Sequence, residues 1–341
     1  AALRQEMEKR DIAVYIVPTA DFHESEYVGE YFKARRFITG FTGSAGTAVI
    51  TRTKAGLWTD GRYFIQAAEQ LQGTGIQMMK MGRPNVPTLD KYLEEALQNG
   101  QTLGFDGRVV SMGNGQKYAK IVEEKQGKIV YDMDLIGEIW EDRPSLSKEP
   151  VFALEEKYTG ESTESKLSRI REVMKENGAT VHILTTLDDI CWTLNIRGND
   201  IEFFPLVLSY AIITMDKMHL YIDETKLSDE IRVNMEADGV ILHKYNAIYE
   251  DVKQIGEEEV LLIDPMCLNY AIYSNISADV KKVEKRNPEV LFKAMKNPSE
   301  VENMRQAQIK DSVAHVKFMK WLKENVGKIT ITEMSASDKL D

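Results

Sequence analysis

The chain repeats itself, and that repeat constrains its fold more than any single motif. LRQEMEKRDIAVYIVPT, from Leu3, resembles LSRIREVMKENGATVHILTT, from Leu167. GTAVITRTKAGLWTD, from Gly46, resembles LVLSYAIITMDKMHLYID, from Leu206, and LGFDG, from Leu103, resembles LLIDP, from Leu261. All three pairs sit about 160 residues apart, so the repeating unit is a whole domain, not a short solenoid repeat. Each unit alternates helical periodicity with short β-branched runs. That pattern predicts an α/β fold with a mixed sheet covered by helices. The polar, proline-bearing stretch EDRPSLSKEP, Glu141 to Pro150, predicts the junction. The expected division is residues 1–145, 146–287 and a third segment, 288–341.

Within the first unit the most informative stretch is FITGFTGSAGTAVITRTKAGLWTDGRYFIQ, from Phe37. Gly43, Ala45 and Gly46 bracket Ser44 and permit close backbone approach. TAVIT reads as a strand, Arg52 to Gly56 as a turn, and Leu57 to Asp60 as a returning strand. Asp60 is placed to cap a helix over Gly61–Gln70. Arg62 then falls in the first helical turn, where the macrodipole disfavours a cation. Two readings follow: Arg62 pairs with a nearby carboxylate, or it serves a function. Its counterpart in the second unit is Thr225, so the fold does not demand an arginine there, and this favours function.

Other helices are expected over residues 1–10, 25–38, 88–97 and 112–125. A long helix within KNPSEVENMRQAQIKDSVAHVKFMKWLKENV is expected to be capped by Ser299 with Glu302, carrying an apolar stripe through Met304, Ile309, Val313 and Val316. Gly113-Asn114-Gly115 reads as a turn before its helix. ITITEMSASDKLD then breaks off a further helix, and the start lacks an initiator Met, so a longer gene product is expected.

Net charge is −11, without a Lys/Arg-rich run, which argues against nucleic acid and anionic membranes. No apolar run reaches the ~18 residues of a membrane-spanning helix. Cys191 and Cys267 lie in apolar surroundings; the natural reading is a reduced, cytoplasmic protein, with a Cys191–Cys267 bridge as the alternative. The five histidines show no HExxH or zinc spacing, and no GxSxG, phosphate-binding loop or dinucleotide fingerprint appears. Asp132 with Asp134, and Asp188 with Asp189, read as helix caps before acid–base pairs. His23, in DFHESEY between a strand and a helix, occupies a place where loops present functional groups; the plainer alternative is capping by Ser25.

Taken together, DFHESEY (from Asp21), RRFITGFTGSAGTAVIT (from Arg35), GLWTDGRYFIQA (from Gly56), IWEDRP (from Ile139), LDDICWTLNIRGNDIEFFPLVLSYAII (from Leu187) and the KNPSE helix with ITEMSASDKL resemble the Xaa-Pro aminopeptidase family of the creatinase/prolidase superfamily. The resemblance spans nearly the whole chain. It implies two creatinase-like N-terminal domains followed by the first helices of a pita-bread domain. It implies a parent enzyme that removes the residue preceding proline at a peptide N-terminus. Two divalent metal ions, usually manganese, go with that activity, held by two Asp, one His and two Glu of the pita-bread domain. None of those ligands matches a position here, so this stretch alone is expected to hold no metal and to be inactive. The family's TDGRYF arginine contacts substrate and matches Arg62; His23, Asp60 and Tyr63 lie in matching motifs with supporting roles. A homodimer is implied. The alternative is a non-catalytic peptide-binding relative that lost its metal site, and the retained TDGRYF favours the enzyme.

Overall fold

The computed structural model describes residues 1–341. Its strands are β1 (Ile12–Pro18), β2 (Thr47–Thr51), β3 (Ala55–Thr59), β4 (Gln77–Lys80), β5 (Thr102–Phe105), β6 (Lys128–Val130), β7 (Phe152–Ala153) and β8 (Val181–Leu184). They continue with β9 (Ile196–Arg197), β10 (Ser209–Thr214), β11 (Met218–Ile222), β12 (Val240–Lys244), β13 (Val260–Ile263) and β14 (Lys281–Glu284). Two six-stranded sheets result, ordered β4-β3-β2-β1-β5-β6 and β12-β11-β10-β8-β13-β14. The orders coincide when β1 is laid on β8, β2 on β10 and β3 on β11. Pair directions coincide too. β1 runs antiparallel to β2 and parallel to β5, and β8 runs antiparallel to β10 and parallel to β13. The internal repeat is therefore a repeat of topology.

The central strand of the first sheet explains its composition. β1 reads IAVYIVP and is buried on both faces, as a strand covered by helices on each side must be. Val14 and Ile16 pack with Leu93, Phe105 and Tyr118, while Tyr15 and Val17 face Met7, Phe41 and Leu57. The two-residue alternation divides one apolar run between two layers. In the second sheet, Ala211 and Ile213 join one layer, and Tyr210 and Ile212 the other. That last layer also takes in Phe22, Phe32 and Met112 from the first unit, so one apolar core spans both.

Several local expectations are corrected. No helix runs over 25–38; a single 3-10 turn, Glu30–Phe32, precedes a short helix, Ala34–Thr39. The Asp21 carboxylate accepts from the amides of His23 and Ser25 and holds a loop instead. Such side-chain-to-backbone bonds compete directly with helix formation. The long helix Pro298–Asn325 is capped by Asn297 with Glu300, not by Ser299 with Glu302, because Pro298 at the first helical position fixes the start two residues earlier. Its residues Met304, Ile309, Val313 and Val316 are exposed. The helix Met112–Glu124 matches the expected span 112–125, and Gly113-Asn114-Gly115 lies inside it and not in a turn before it. Both cysteines are free.

Gly115 sits in that helix for packing reasons. A Cβ there would meet the Tyr270 ring of the second unit at 2.0 Å. Helix propensity alone makes Gly→Ala favourable by up to ~1 kcal/mol. Overpacking a fitted interface costs about 1–3 kcal/mol. Gly115→Ala is therefore expected to destabilise the chain, read as a lower urea midpoint. A raised midpoint would show that the Tyr270 ring moves aside freely.

Candidate functional site

The candidate site is the loop edge after β3. Asp60, in extended backbone, caps the 3-10 turn Gly61–Tyr63, and a separate helix, Phe64–Gln70, follows. The single helix expected over Gly61–Gln70 is thus two elements. Asp60 Oδ1 accepts from the Arg62 amide at 3.0 Å and from Arg62 Nε at 2.9 Å, and Oδ2 accepts from Arg62 NH2 at 2.8 Å. The hydrogen bonds from the Arg62 side chain and amide pull the Asp60 carboxyl down to about 2. The cation that the turn's orientation disfavours is compensated by the carboxylate that caps it. Arg62 nevertheless stays 67% exposed, with its charge over the Tyr63 ring at 5.0 Å.

The same local structure recurs after β11, the counterpart of β3, and after β5, and its variations are informative. Asp223 follows β11 and accepts from the Thr225 amide at 3.0 Å, with Thr225 Oγ1 at 2.7 Å. Asp106 follows β5 and accepts from the Arg108 amide at 3.0 Å and from Arg108 Nε at 2.9 Å. Arg108, though, also reaches Asp134 at 3.4 Å and covers the Phe22 ring at 4.5 Å. Arg108 ties elements together. Arg62 binds nothing beyond its own turn and the face of its neighbour.

Tyr63 continues the edge. Its hydroxyl lies 2.6 Å from Ser44 Oγ, and its ring packs edge-to-face on Phe41. Gly43 is required here, since a Cβ would stand 2.3 Å from Phe41 and 2.8 Å from Tyr63. Gln66 and Gln70 both donate to Thr42 Oγ1, and Gln70 Oε1 accepts from the Thr42 amide. The glycine-rich turn is thereby fixed against the helix that follows Arg62.

Asp60, Arg62 and Tyr63 are brought together; His23 is elsewhere. It is 1% exposed, with Nδ1 at 2.8 Å from the Thr185 carbonyl and Nε2 at 2.6 Å from the Tyr245 hydroxyl. The carbonyl can only accept, so Nδ1 carries the proton and Nε2 accepts from Tyr245. Burial lowers the His23 pKa and keeps the ring neutral. It joins the two units and has no face open to a ligand. Asp132 forms an isolated bridge with Asp106, and Asp134 caps the helix Leu135–Ile139. Asp188 and Asp189 lie in the first turn of Leu187–Thr193 against Lys293. No three His, Cys, Asp or Glu side chains converge so as to hold a metal ion, so these residues do not fit a metal centre. Sequence reasoning passed over Arg35, which holds the glycine-rich turn, and Phe203 beside it. The Arg35-Arg36 doublet before that turn, and two aromatics in a polar loop before Pro205, are signals that were available.

The model for the Creatinase/Prolidase N-terminal domain matches residues 1–136, and a second model of the same description matches residues 142–300. The chain belongs to the creatinase/prolidase N-terminal domain family. Two copies of that family domain account for the duplicated topology. A probable Xaa-Pro aminopeptidase P of Pyricularia oryzae is 36% identical over 358 residues, covering 100% of this chain and 58% of its own length. One from Laccaria bicolor is 38% identical, with 100% and 54% covered. A solved X-prolyl aminopeptidase of Caenorhabditis elegans, described as a cytosolic enzyme with a di-nuclear active site, superimposes with a TM-score of 0.92 at 34% identity. That match covers 97% of this chain and 55% of the other. The chain thus spans just over half the length of these relatives. No helix is long and apolar enough to cross a membrane.

The neutral His23 gives a signed prediction. A histidine whose folded pKa is depressed contributes stability above its unfolded pKa, about 6.5, and loses it as pH falls below that value. The stability advantage of wild type over His23→Asn should therefore be largest above about pH 6.5 and shrink in acid. Urea unfolding of both proteins across that range checks the sign; a gap that widens in acid contradicts the neutral assignment.

Proposed function

We propose that this chain is the N-terminal part of a metal-dependent Xaa-Pro aminopeptidase, which removes the first residue from peptides with proline second. The family assignment and the relatives' names support the reading. The observation that carries it on the residues is Arg62: an exposed arginine at a position where the second unit does without one. In this reading Arg62 reaches into the substrate cleft and holds the peptide on the C-terminal side of its proline. Its planar fork of donors suits peptide carbonyls or a carboxylate, and lysine does not reproduce that geometry. Asp60 and Tyr63 support it, Asp60 by holding the guanidinium until substrate arrives. His23 acts only through the frame.

Two divalent ions, manganese in this reading, go with the activity. The residues of this chain offer no donor set for them, so the roles assigned here are holding the peptide and shaping the cleft. The working form is taken to be a cytoplasmic homodimer, with units bounded at 1–145 and 146–287 and the 288–341 helices leading into the peptidase domain.

Two measurements test the proposal. In the enzyme containing this chain, Arg62→Ala and Arg62→Lys should each lower kcat/KM on a tripeptide by roughly 10- to 150-fold, the worth of one charge-assisted hydrogen bond. Melting temperature should stay near wild type, since the side chain is exposed. Activity near wild type, or stability falling in step with activity, would make Arg62 a structural ion-pair partner. Separately, the 341-residue chain alone should neither bind Mn²⁺ stoichiometrically in calorimetry nor cleave Arg-Pro-Pro; metal-dependent turnover would refute this division of labour.

A further inference from the structure

The turn carrying Ser44 rests on a buried cation without a carboxylate. Arg35 is 4% exposed. Its Nε donates to Thr19 Oγ1 at 2.9 Å, and its two terminal nitrogens donate to the carbonyls of Phe41 and Gly43. These neutral acceptors use three of its five N–H donors and none of its charge. Of the other two buried cations, Lys226 has Asp200, while Lys166 also rests on neutral acceptors, the Trp192 carbonyl and Asn195 Oδ1, and lines no pocket with Arg35. Burial lowers the Arg35 pKa to about 10, so it remains a cation at neutral pH. A buried charge without a counter-charge is costly, and an anion reaching it recovers part of that cost.

A route to it exists. A pocket of about 230 Å³ is lined by Thr19, Tyr27, Arg35, Gly43, Ser44 and Phe203. Lys33 and Arg36 add two further cations to the lining. Glu26 and Glu202 also line it, both exposed, where water and salt screen them. Phe203 is 88% exposed and has φ of 66°, in the left-handed region that bulky residues rarely adopt. Phe204 beside it packs on Tyr27 with ring centroids 5.1 Å apart. The loop thus spends strain to stand an aromatic wall beside the pocket, and nothing in the chain covers that wall. The Ser44–Tyr63 hydrogen bond joins the pocket to the Arg62 edge.

We propose that this pocket binds the C-terminal residue of a short peptide, its carboxylate on Arg35 and its side chain against Phe203 and Tyr27. The identity of the ligand rests on the aminopeptidase reading; the pocket's preference for a carboxylate does not. A planar guanidinium with free donors suits a carboxylate, and the pocket has room for one residue beyond it. Short substrates would then be gripped at two points, Arg62 along the backbone and Arg35 at the end.

The test needs binding only, so it is separable from turnover. The 341-residue chain is titrated with Ala-Pro-Phe as the free acid, with Ala-Pro-Phe-amide, and with Ala-Pro-Glu-amide, following the backbone amide NMR signals of Gly43 and Ser44. The free acid should saturate these signals with a Kd at least tenfold lower than Ala-Pro-Phe-amide. Phe203→Ala, at a site too exposed to unfold the chain, should weaken the free acid several-fold, and Arg35→Gln should remove the preference for acid over amide. Equal binding of acid and amide by wild type, or no saturable shift at Gly43 and Ser44, overturns the proposal whatever the variants do. Ala-Pro-Glu-amide binding as tightly as the free acid overturns the chain-end assignment in favour of an acidic side chain.

Discussion

The structure depends on a backbone seam between its two units. The Met112 amide donates to the Leu268 carbonyl at 2.7 Å, Gly113 to Pro265 at 2.8 Å, and Tyr270 to Val110 at 2.8 Å. The Asn269 side-chain amide adds a bond to the Phe22 carbonyl at 3.1 Å. Buried amides and carbonyls left without partners cost more than these bonds return, so the two segments are obligatory partners. Around them, Phe22, Phe32 and Met112 enter the apolar layer of the second sheet. His23 closes the seam with a neutral ring between Thr185 and Tyr245. Two domains of one ancestry are joined as a single frame, and the loops after β3 are held in a fixed place on it.

That fixed place gives Arg62 its meaning. The duplicated fold requires a carboxylate after the strand, because the following 3-10 turn needs an acceptor for its free amides. Asp60, Asp106 and Asp223 all supply one. What stands two residues later is optional for the fold. Thr225 answers with a short hydroxyl, Arg108 with a structural tie to Asp134, and Arg62 with an exposed guanidinium. The comparison inside one chain separates what the turn needs from what the arginine adds.

Much of this was legible in the sequence, for definable reasons. The repeat, the α/β class and the strand pair around Arg52–Gly56 follow from apolar periodicity, which local sequence carries directly. The Asp60 cap and the contrast of Arg62 with Thr225 were legible because both copies print the same motif. What stayed hidden depends on partners distant in sequence. Gly113 and Gly115 spell a turn, yet both lie in a helix, and the ring that Gly115 makes room for, Tyr270, is far along the chain. His23 looked presented by a loop, and its partners, Thr185 and Tyr245, are far along the chain. Arg35 drew no reading of its own, because nothing local shows that its fork closes on the Phe41 and Gly43 carbonyls.

The two units behave as one rigid frame under the Arg62 edge. Native-state hydrogen exchange at the Met112, Gly113 and Tyr270 amides tests it most directly, because each bonds across the seam. Opening free energies equal to those of the strand-centre amides in both sheets are predicted, since the seam should open only when the chain unfolds globally. Exchange from a partly open state, well below the global value and independent of the sheets, would show two separable domains and no rigid frame.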